Sequence, residues 1–408
     1  MKKLTILLLL MAQLAAMAQK IPVGQEERTA EADSSVMALP LRQLLAARLD
    51  SLCTDTLLQR TQLGLMVWDL TDDTLLYAVN SRQLLRTAST MKVLTAVTAL
   101  DCLSPDYCYK TSLYYKGSIE QGRLSGDIIC VGGMDPMFSR RDMQAFVEAL
   151  RSKTVRTIVG RIVTDCSMKE SEKWGAGWCW DDKNPVLSPL LVGGKADFAD
   201  QLLKELHAAG ISTPGIRVVS GKLPDGAQPL SMRSHSLDEV LKQMMKESDN
   251  LYAEATYYQI AAATALKPAT AKDAQQVELA LLKKLGLDSS RFRLADGSGL
   301  SLYDYLTPEA QVLLLRYAWQ RPSLYRRLLQ SLPVAGVDGT LKGRMKNTVA
   351  EGNVQAKTGT VTAVSALTGY LTAPNGHRLA FCIVNQGVLR ASEGREFQDK
   401  VCLALCRP

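Results

Sequence analysis

Ser89-Thr90-Met91-Lys92-Val93-Leu94-Thr95-Ala96-Val97-Thr98-Ala99-Leu100 is the stretch on which the fold turns. Its apolar positions Val93, Leu94, Val97 and Leu100 recur at helical spacing. Residues three apart on a helix share a face, one turn up, so the Lys92 amine comes beside the Ser89 hydroxyl. A serine hydroxyl is a poor nucleophile until a base takes its proton. A lysine serves as that base only if its pKa falls, and burial beside other cations lowers it. Taken alone, the pair reads as a helix-capping serine and a surface lysine.

Two further motifs change that reading. Ser248-Asp249-Asn250 and Lys357-Thr358-Gly359 follow in order, and each motif occurs once. A chain of this length holds Ser-x-x-Lys about once or twice by chance, but each of the other two only on the order of a tenth of a time. The ordered trio is the motif set of penicillin-recognising serine enzymes.

The second motif lies between two helical segments, where Ser, Asp and Asn favour a loop. Ser248 can pass a proton toward a departing amine, and Asn250 can hydrogen-bond a substrate backbone. Asp249 is expected to point away and fix the loop. The third motif ends a β-rich run, and a strand edge can align an extended peptide. Lys357 supplies positive charge near a substrate carboxylate, and the Thr358 and Thr360 hydroxyls serve the same anion. Gly359 removes a side chain where substrate approaches closely. The backbone N–H groups of Ser89 and Thr360 would form the oxyanion hole. Lys357 is the expected second cation beside Lys92. Only three histidines exist, and no Gly-x-Ser-x-Gly elbow is present. That argues against a Ser-His-Asp triad, a Cys–His protease and a zinc hydrolase, so no metal or cofactor is expected.

Outward from the motifs, strand-like runs Leu63–Asp69 and Thr74–Val79 flank a hairpin turn. Near the other end, Asn375-Gly376 separates two β-rich runs, a strong hairpin signal. Strong helical patterns cover 237–263, 271–285 and 308–328. Strands at both ends with helices between predict one sheet built from the two ends of the chain. Between them, short β-like and helical runs alternate, and we read an inserted α/β domain over 113–232. The catalytic domain then comprises 41–112 and 233–408.

The chain begins Met-Lys-Lys, continues with an apolar run from Leu4 to Leu10, and reaches Ala16-Met17-Ala18. This reads as a secretory signal peptide over residues 1–18. A polar, flexible N-terminus is expected over 19–40. Export places the mature protein in the periplasm or cell envelope. Nine cysteines and a net charge of +7 complete the picture. An exported compartment permits disulfides, the pairing is open, and core thiols are the default. No basic stripe interleaved with aromatics points to nucleic acid.

The sequence resembles the D-alanyl-D-alanine carboxypeptidase/endopeptidase family, the class C low-molecular-mass penicillin-binding proteins. Beyond the trio, the likeness rests on Gly117-Ser118-Ile119, Leu124-Ser125-Gly126-Asp127, Gly132-Gly133-Met134-Asp135-Pro136 and Trp178-Cys179-Trp180-Asp181-Asp182. It rests also on Asp296-Gly297-Ser298-Gly299-Leu300-Ser301 and Gly336-Val337-Asp338-Gly339-Thr340-Leu341. The resemblance implies an α+β, penicillin-binding-protein/β-lactamase-like fold, an antiparallel sheet flanked by helices. It implies an acyl-enzyme on Ser89, with Lys92 as base, Ser248 and Lys357 assisting, and Asn250, Thr358 and Thr360 binding substrate. Peptidoglycan peptides would be the substrate and β-lactams covalent inhibitors. Asp181 and Asp182 are candidates to bind a side-chain amine of the stem. The stretch from Ser89 to Ser248 is shorter than in typical members, and Val192 to Phe198 is short where a nested domain is expected. Two alternatives remain: a β-lactamase-like hydrolase and a catalytically silent wall-binding protein. Oligomeric state is open.

Overall fold

The computed structural model describes residues 40–264 and 268–408. The signal peptide and most of the polar N-terminus expected over residues 1–40 lie outside the described residues. Residues 41–408 form one compact unit.

The first segment runs α1 (Leu41–Leu52), β1 (Gln62–Asp69), β2 (Thr74–Val79), β3 (Leu85–Arg86) and α2 (Met91–Cys102). The second runs β4 (Cys108–Glu120), β5 (Arg123–Val131), α3 (Arg140–Ser152), β6 (Thr157–Val159), β7 (Arg161–Asp165), α4 (Phe198–Ala208), β8 (Arg217–Ser220) and β9 (Gln228–Ser236). The third runs α5 (Leu237–Lys246), α6 (Asn250–Thr264), α7 (Ala271–Lys284), β10 (Tyr305–Leu306), α8 (Pro308–Trp319) and α9 (Pro322–Ser331). It closes with β11 (Gln355–Val361), β12 (Val364–Thr372), β13 (Arg378–Gln386) and α10 (Ala391–Cys406).

The main sheet has the order β11-β12-β13-β1-β2 and is antiparallel throughout. The two ends of the chain meet where β1 pairs with β13, from Gln62 opposite Gln386 to Asp69 opposite Leu379. Side chains alternate faces along a strand, and here both faces are buried. Leu379, Phe381 and Ile383 of β13 join a core with Leu45 and Leu49 of α1 and Phe397 and Val401 of α10. Ala380, Cys382 and Val384 face the opposite way, into the larger helical core that holds α2, α6 and α8. Two-sided burial explains why these strands read as continuous apolar runs.

The second sheet joins β8-β7-β5-β4-β9, with β6 beside β5, and mixes parallel and antiparallel pairs over its own apolar core. Its edge reaches further than the sequence indicated. β4 pairs with β9 from Cys108 opposite Ser236 to Tyr115 opposite Gln228. Boundaries at 113 and 232 therefore fall inside strands, because hydropathy does not change where a strand passes from one lobe to the next.

One helix also differs from expectation. The run 308–328 is two helices, because Pro322 has no N–H to continue α8 and restarts the chain at the first position of α9. The helical pattern over 237–263 is interrupted between Lys246 and Asn250, where the second motif forms the loop that Ser, Asp and Asn favour. All nine cysteines are unpaired thiols, and Cys130, Cys382, Cys402 and Cys406 are buried. No helix among the described residues is long and apolar enough to cross a membrane.

Candidate active site

Ser89 lies in a short 3-10 turn, Ala88–Thr90, that leads directly into α2. Lys92 is one turn on and fully buried. Its Nζ donates to Ser89 Oγ at 3.0 Å, to Asn250 Oδ1 at 2.7 Å and to the Ser298 carbonyl at 2.9 Å. These three bonds bring three distant parts of the chain to one ammonium. Burial lowers the Lys92 pKa to about 8, while the charges of Asp296, Glu254, Asp249 and Asp304 push it back up.

The second motif is held by geometry as well as by sequence. Ser248 has φ 59, a left-handed backbone that is costly for a residue with a side chain. Asp249 Oδ1 accepts the Leu251 N–H at 2.9 Å and so fixes the loop at the start of α6. Asn250 spends its Oδ1 on Lys92, which leaves its Nδ2–H groups for a ligand.

The third motif sits on β11, the edge strand. Strand alternation puts Lys357 and Gly359 on the face toward Ser89 and Thr358 and Thr360 on the other. Lys357 is fully buried and donates to Ser248 Oγ at 2.7 Å and to the Thr358 carbonyl at 2.7 Å. Burial lowers its pKa well below the usual lysine range, and the neighbouring Lys92 lowers it further. The Thr358 hydroxyl donates to Thr340 Oγ1 at 2.8 Å. Thr360 is exposed.

Gly359 explains how close this strand comes. A Cβ there would lie 2.7 Å from the Thr87 carbonyl oxygen and 3.1 Å from the Thr90 nitrogen. Both atoms belong to the turn that carries Ser89. Gly359→Ala therefore forces β11 away from the nucleophile, at about 1–3 kcal/mol by the usual cost of overpacking. We expect a lowered unfolding midpoint and slower penicillin labelling. An alanine variant with wild-type values in both assays would contradict this packing account.

Asp181 and Asp182 stand apart from the others. They are exposed, in a loop over 174–184 whose Trp180 is 93% exposed. The loop is tied to the site by Trp178, whose Nε1–H donates to Asp296 Oδ2 at 2.7 Å.

Sequence reasoning missed the carboxyl groups behind Lys92. Glu254, Glu278, Asp296 and Asp304 are all buried. Burial pushes Glu254 up to about 8 and raises Glu278 and Asp304 well above their usual values. Their acidic character is invisible to a hydropathy pattern, although Asp296 opens one of the glycine-rich signatures. A cleft of about 510 Å³ lined by Asp165, Cys166, Lys169, Glu170 and Lys222 contains none of the motif residues. The chemistry is thus located by converging polar groups and not by cavity size.

A family model for the D-Ala-D-Ala carboxypeptidase 3 (S13) family matches residues 45–192 and 190–406. The chain belongs to that family. This S13 peptidase is a serine-type hydrolase with a penicillin-binding-protein fold. It is 25% identical to the D-alanyl-D-alanine carboxypeptidase DacB of Haemophilus influenzae, over 80% of this chain and 86% of that protein. It is 29% identical to the D-alanyl-D-alanine carboxypeptidase of Actinomadura, over 83% of this chain and 80% of that protein. The crystal structure of penicillin binding protein 4 from Haemophilus influenzae superposes with a TM-score of 0.79 at 22% identity, covering 87% of this chain and 98% of that one.

Proposed function

We propose that Ser89 is the nucleophile and Lys92 the general base of a penicillin-sensitive D-Ala-D-Ala carboxypeptidase. It acts on peptidoglycan stem peptides, and D-alanyl cross-links are within the same chemistry. The observation that carries this is the buried Lys92 amine, hydrogen-bonded at once to Ser89, to Asn250 and to the Ser298 carbonyl. Family membership supplies the reaction class.

Lys92 in its neutral form takes the Ser89 proton as Oγ attacks the penultimate D-alanine carbonyl. The N–H groups of Ser89 and Thr360 receive the developing oxyanion. Ser248, hydrogen-bonded to Lys357, delivers a proton to the departing amine, and terminal D-alanine leaves. Water then attacks the acyl-Ser89 ester and frees the shortened peptide. Lys357 supplies positive charge toward the terminal carboxylate, and Thr358 and Thr360 sit on the same strand edge with Gly359. Asn250 Nδ2 contacts the peptide backbone. A β-lactam acylates Ser89 by the same first step. The activity belongs outside the cytoplasm, in the periplasm or cell envelope.

Because the base must be neutral, acylation should rise about tenfold per pH unit on the acid side. It should level off above the Lys92 pKa of about 8. A pH-independent acylation rate between 6 and 8 would rule out this role. The direct test of function is release of free D-alanine from a pentapeptide ending in D-Ala-D-Ala. Slow loss of bound penicillin supports the peptidase; turnover of ~10 per second or more makes it a β-lactamase.

We also propose that Asp181 and Asp182 receive a side-chain amine of the stem. Both are exposed, so the effect is modest. Replacing both by Asn should raise KM about two- to fivefold for a stem with a free amine. A stem with that amine acetylated should be unaffected, and equal effects on both would remove the two aspartates from recognition.

A further inference from the structure

Asp296 holds more of this site together than any motif residue. It is 1% exposed, and its two oxygens accept four N–H bonds. Oδ1 takes the Ser298 N–H at 2.9 Å and the Gly299 N–H at 2.6 Å. Oδ2 takes the Ser301 N–H at 2.7 Å and the Trp178 Nε1–H at 2.7 Å. Four donors and no acceptors is the pattern of a carboxylate.

Two consequences follow from these partners. On one side, the Ser298 carbonyl that Asp296 positions is the third acceptor of Lys92. On the other, Trp178 belongs to the 174–184 loop. That loop gains two more bonds from the same segment: Ser301 Oγ to the Ala176 carbonyl at 2.7 Å, and Leu302 N–H to the Gly177 carbonyl at 3.1 Å. Gly299, with φ 76, makes the approach possible, since a Cβ there would collide with the Ala88 carbonyl beside the nucleophile. One carboxylate thus fixes both the base and the exposed loop against a common backbone.

We propose that Asp296 and Trp178 form the joint that sets the 174–184 loop in register with Ser89 and Lys92, and so decide which stem peptides the site accepts. They are positioning residues; neither touches the reacting atoms. The inference rests on Ser89 being the nucleophile. If the wild-type protein releases no D-alanine and takes no penicillin, that underlying reading fails before any variant is tested.

The test uses the whole protein and two substrates, a D-Ala-D-Ala pentapeptide and a fluorescent penicillin. Trp178→Phe keeps a ring but removes the donor. Its kcat/KM for the pentapeptide should fall about tenfold or more, through KM, while penicillin labelling falls far less. Trp178→His restores a ring N–H and should recover much of the loss. The charge is tested separately by pH. Lys92 is faced by Asp296, Glu254, Asp249 and Asp304, and by Lys357 from β11. Asp304 is buried, and the charge of Asp296 adds to burial in raising its pKa, so D296N alone leaves a second acid facing Lys92. The double variant D296N/D304N removes both. Removing the negative charge makes the Lys92 amine less basic, so the acid limb of the labelling profile should move down by roughly one pH unit. Trp178→Phe should leave that limb in place. Either of two results overturns the proposal: Trp178→His no better than Trp178→Phe, or an unmoved acid limb in D296N/D304N.

Discussion

Ser89→Ala should abolish covalent penicillin labelling and D-alanine release while leaving the protein folded. The Ser89 hydroxyl is the only atom lost, and it accepts one hydrogen bond from Lys92. Lys92 retains Asn250 Oδ1 and the Ser298 carbonyl, so the structural cost is about 1 kcal/mol. The kinetic cost is of another order. Loss of a serine nucleophile removes the covalent route altogether, on the order of ten-thousandfold or more in kcat. Intact-mass measurement after exposure to penicillin reads the result directly. A penicilloyl adduct on the alanine variant would move the nucleophile elsewhere and sink the mechanism.

Lys92→Met should cost both rate and stability, and the two should be separable. The thioether matches the length of the lysine stem but offers no base. Loss of general-base catalysis corresponds to about 10²–10⁴ in acylation rate. Stability falls for a different reason. Lys92 is the cation facing Asp296, Glu254, Asp249 and Asp304. Breaking a buried charge arrangement by removing one partner costs about 3–5 kcal/mol. Denaturant unfolding and penicillin labelling, measured on the same preparation, distinguish the two effects. Wild-type labelling by a folded Lys92→Met protein would transfer the base role to Lys357.

The pair Lys92 and Lys357 also sharpens a sequence expectation. The second cation was expected to depress Lys92. In the structure burial is the main cause for both lysines, and repulsion from Lys92 adds to the lowering at Lys357. The surplus of acids behind Lys92 opposes its neutralisation. It keeps the amine near a pKa at which both proton states are populated around neutral pH, as a general base requires.

Much of the architecture was legible because it is written in short-range patterns. Helical periodicity placed α2, with Lys92 in its first turn and Ser89 in the 3-10 turn that leads into it. Asn375-Gly376 marked the β12–β13 turn, where Gly376 has φ 85. Strands at both chain ends implied a sheet joining them, and β1 pairs with β13. The boundaries read at 113 and 232, inside β4 and β9, and the helix break at Pro322 lie where a local pattern continues while the three-dimensional neighbour changes.

By itself, then, the sequence determined the fold class and the identity of Ser89, Lys92, Ser248, Asn250 and Lys357 as chemical candidates. Their residue types and spacings encode that much. Only the tertiary structure decided that Lys92 faces Ser89, Asn250 and Ser298 at once, that Lys357 takes Ser248, and that Asp296 stands behind them holding Trp178. Those are contacts between residues up to 206 positions apart, and they are decided by packing and by the need to satisfy buried donors and acceptors. No local pattern in the chain records that requirement.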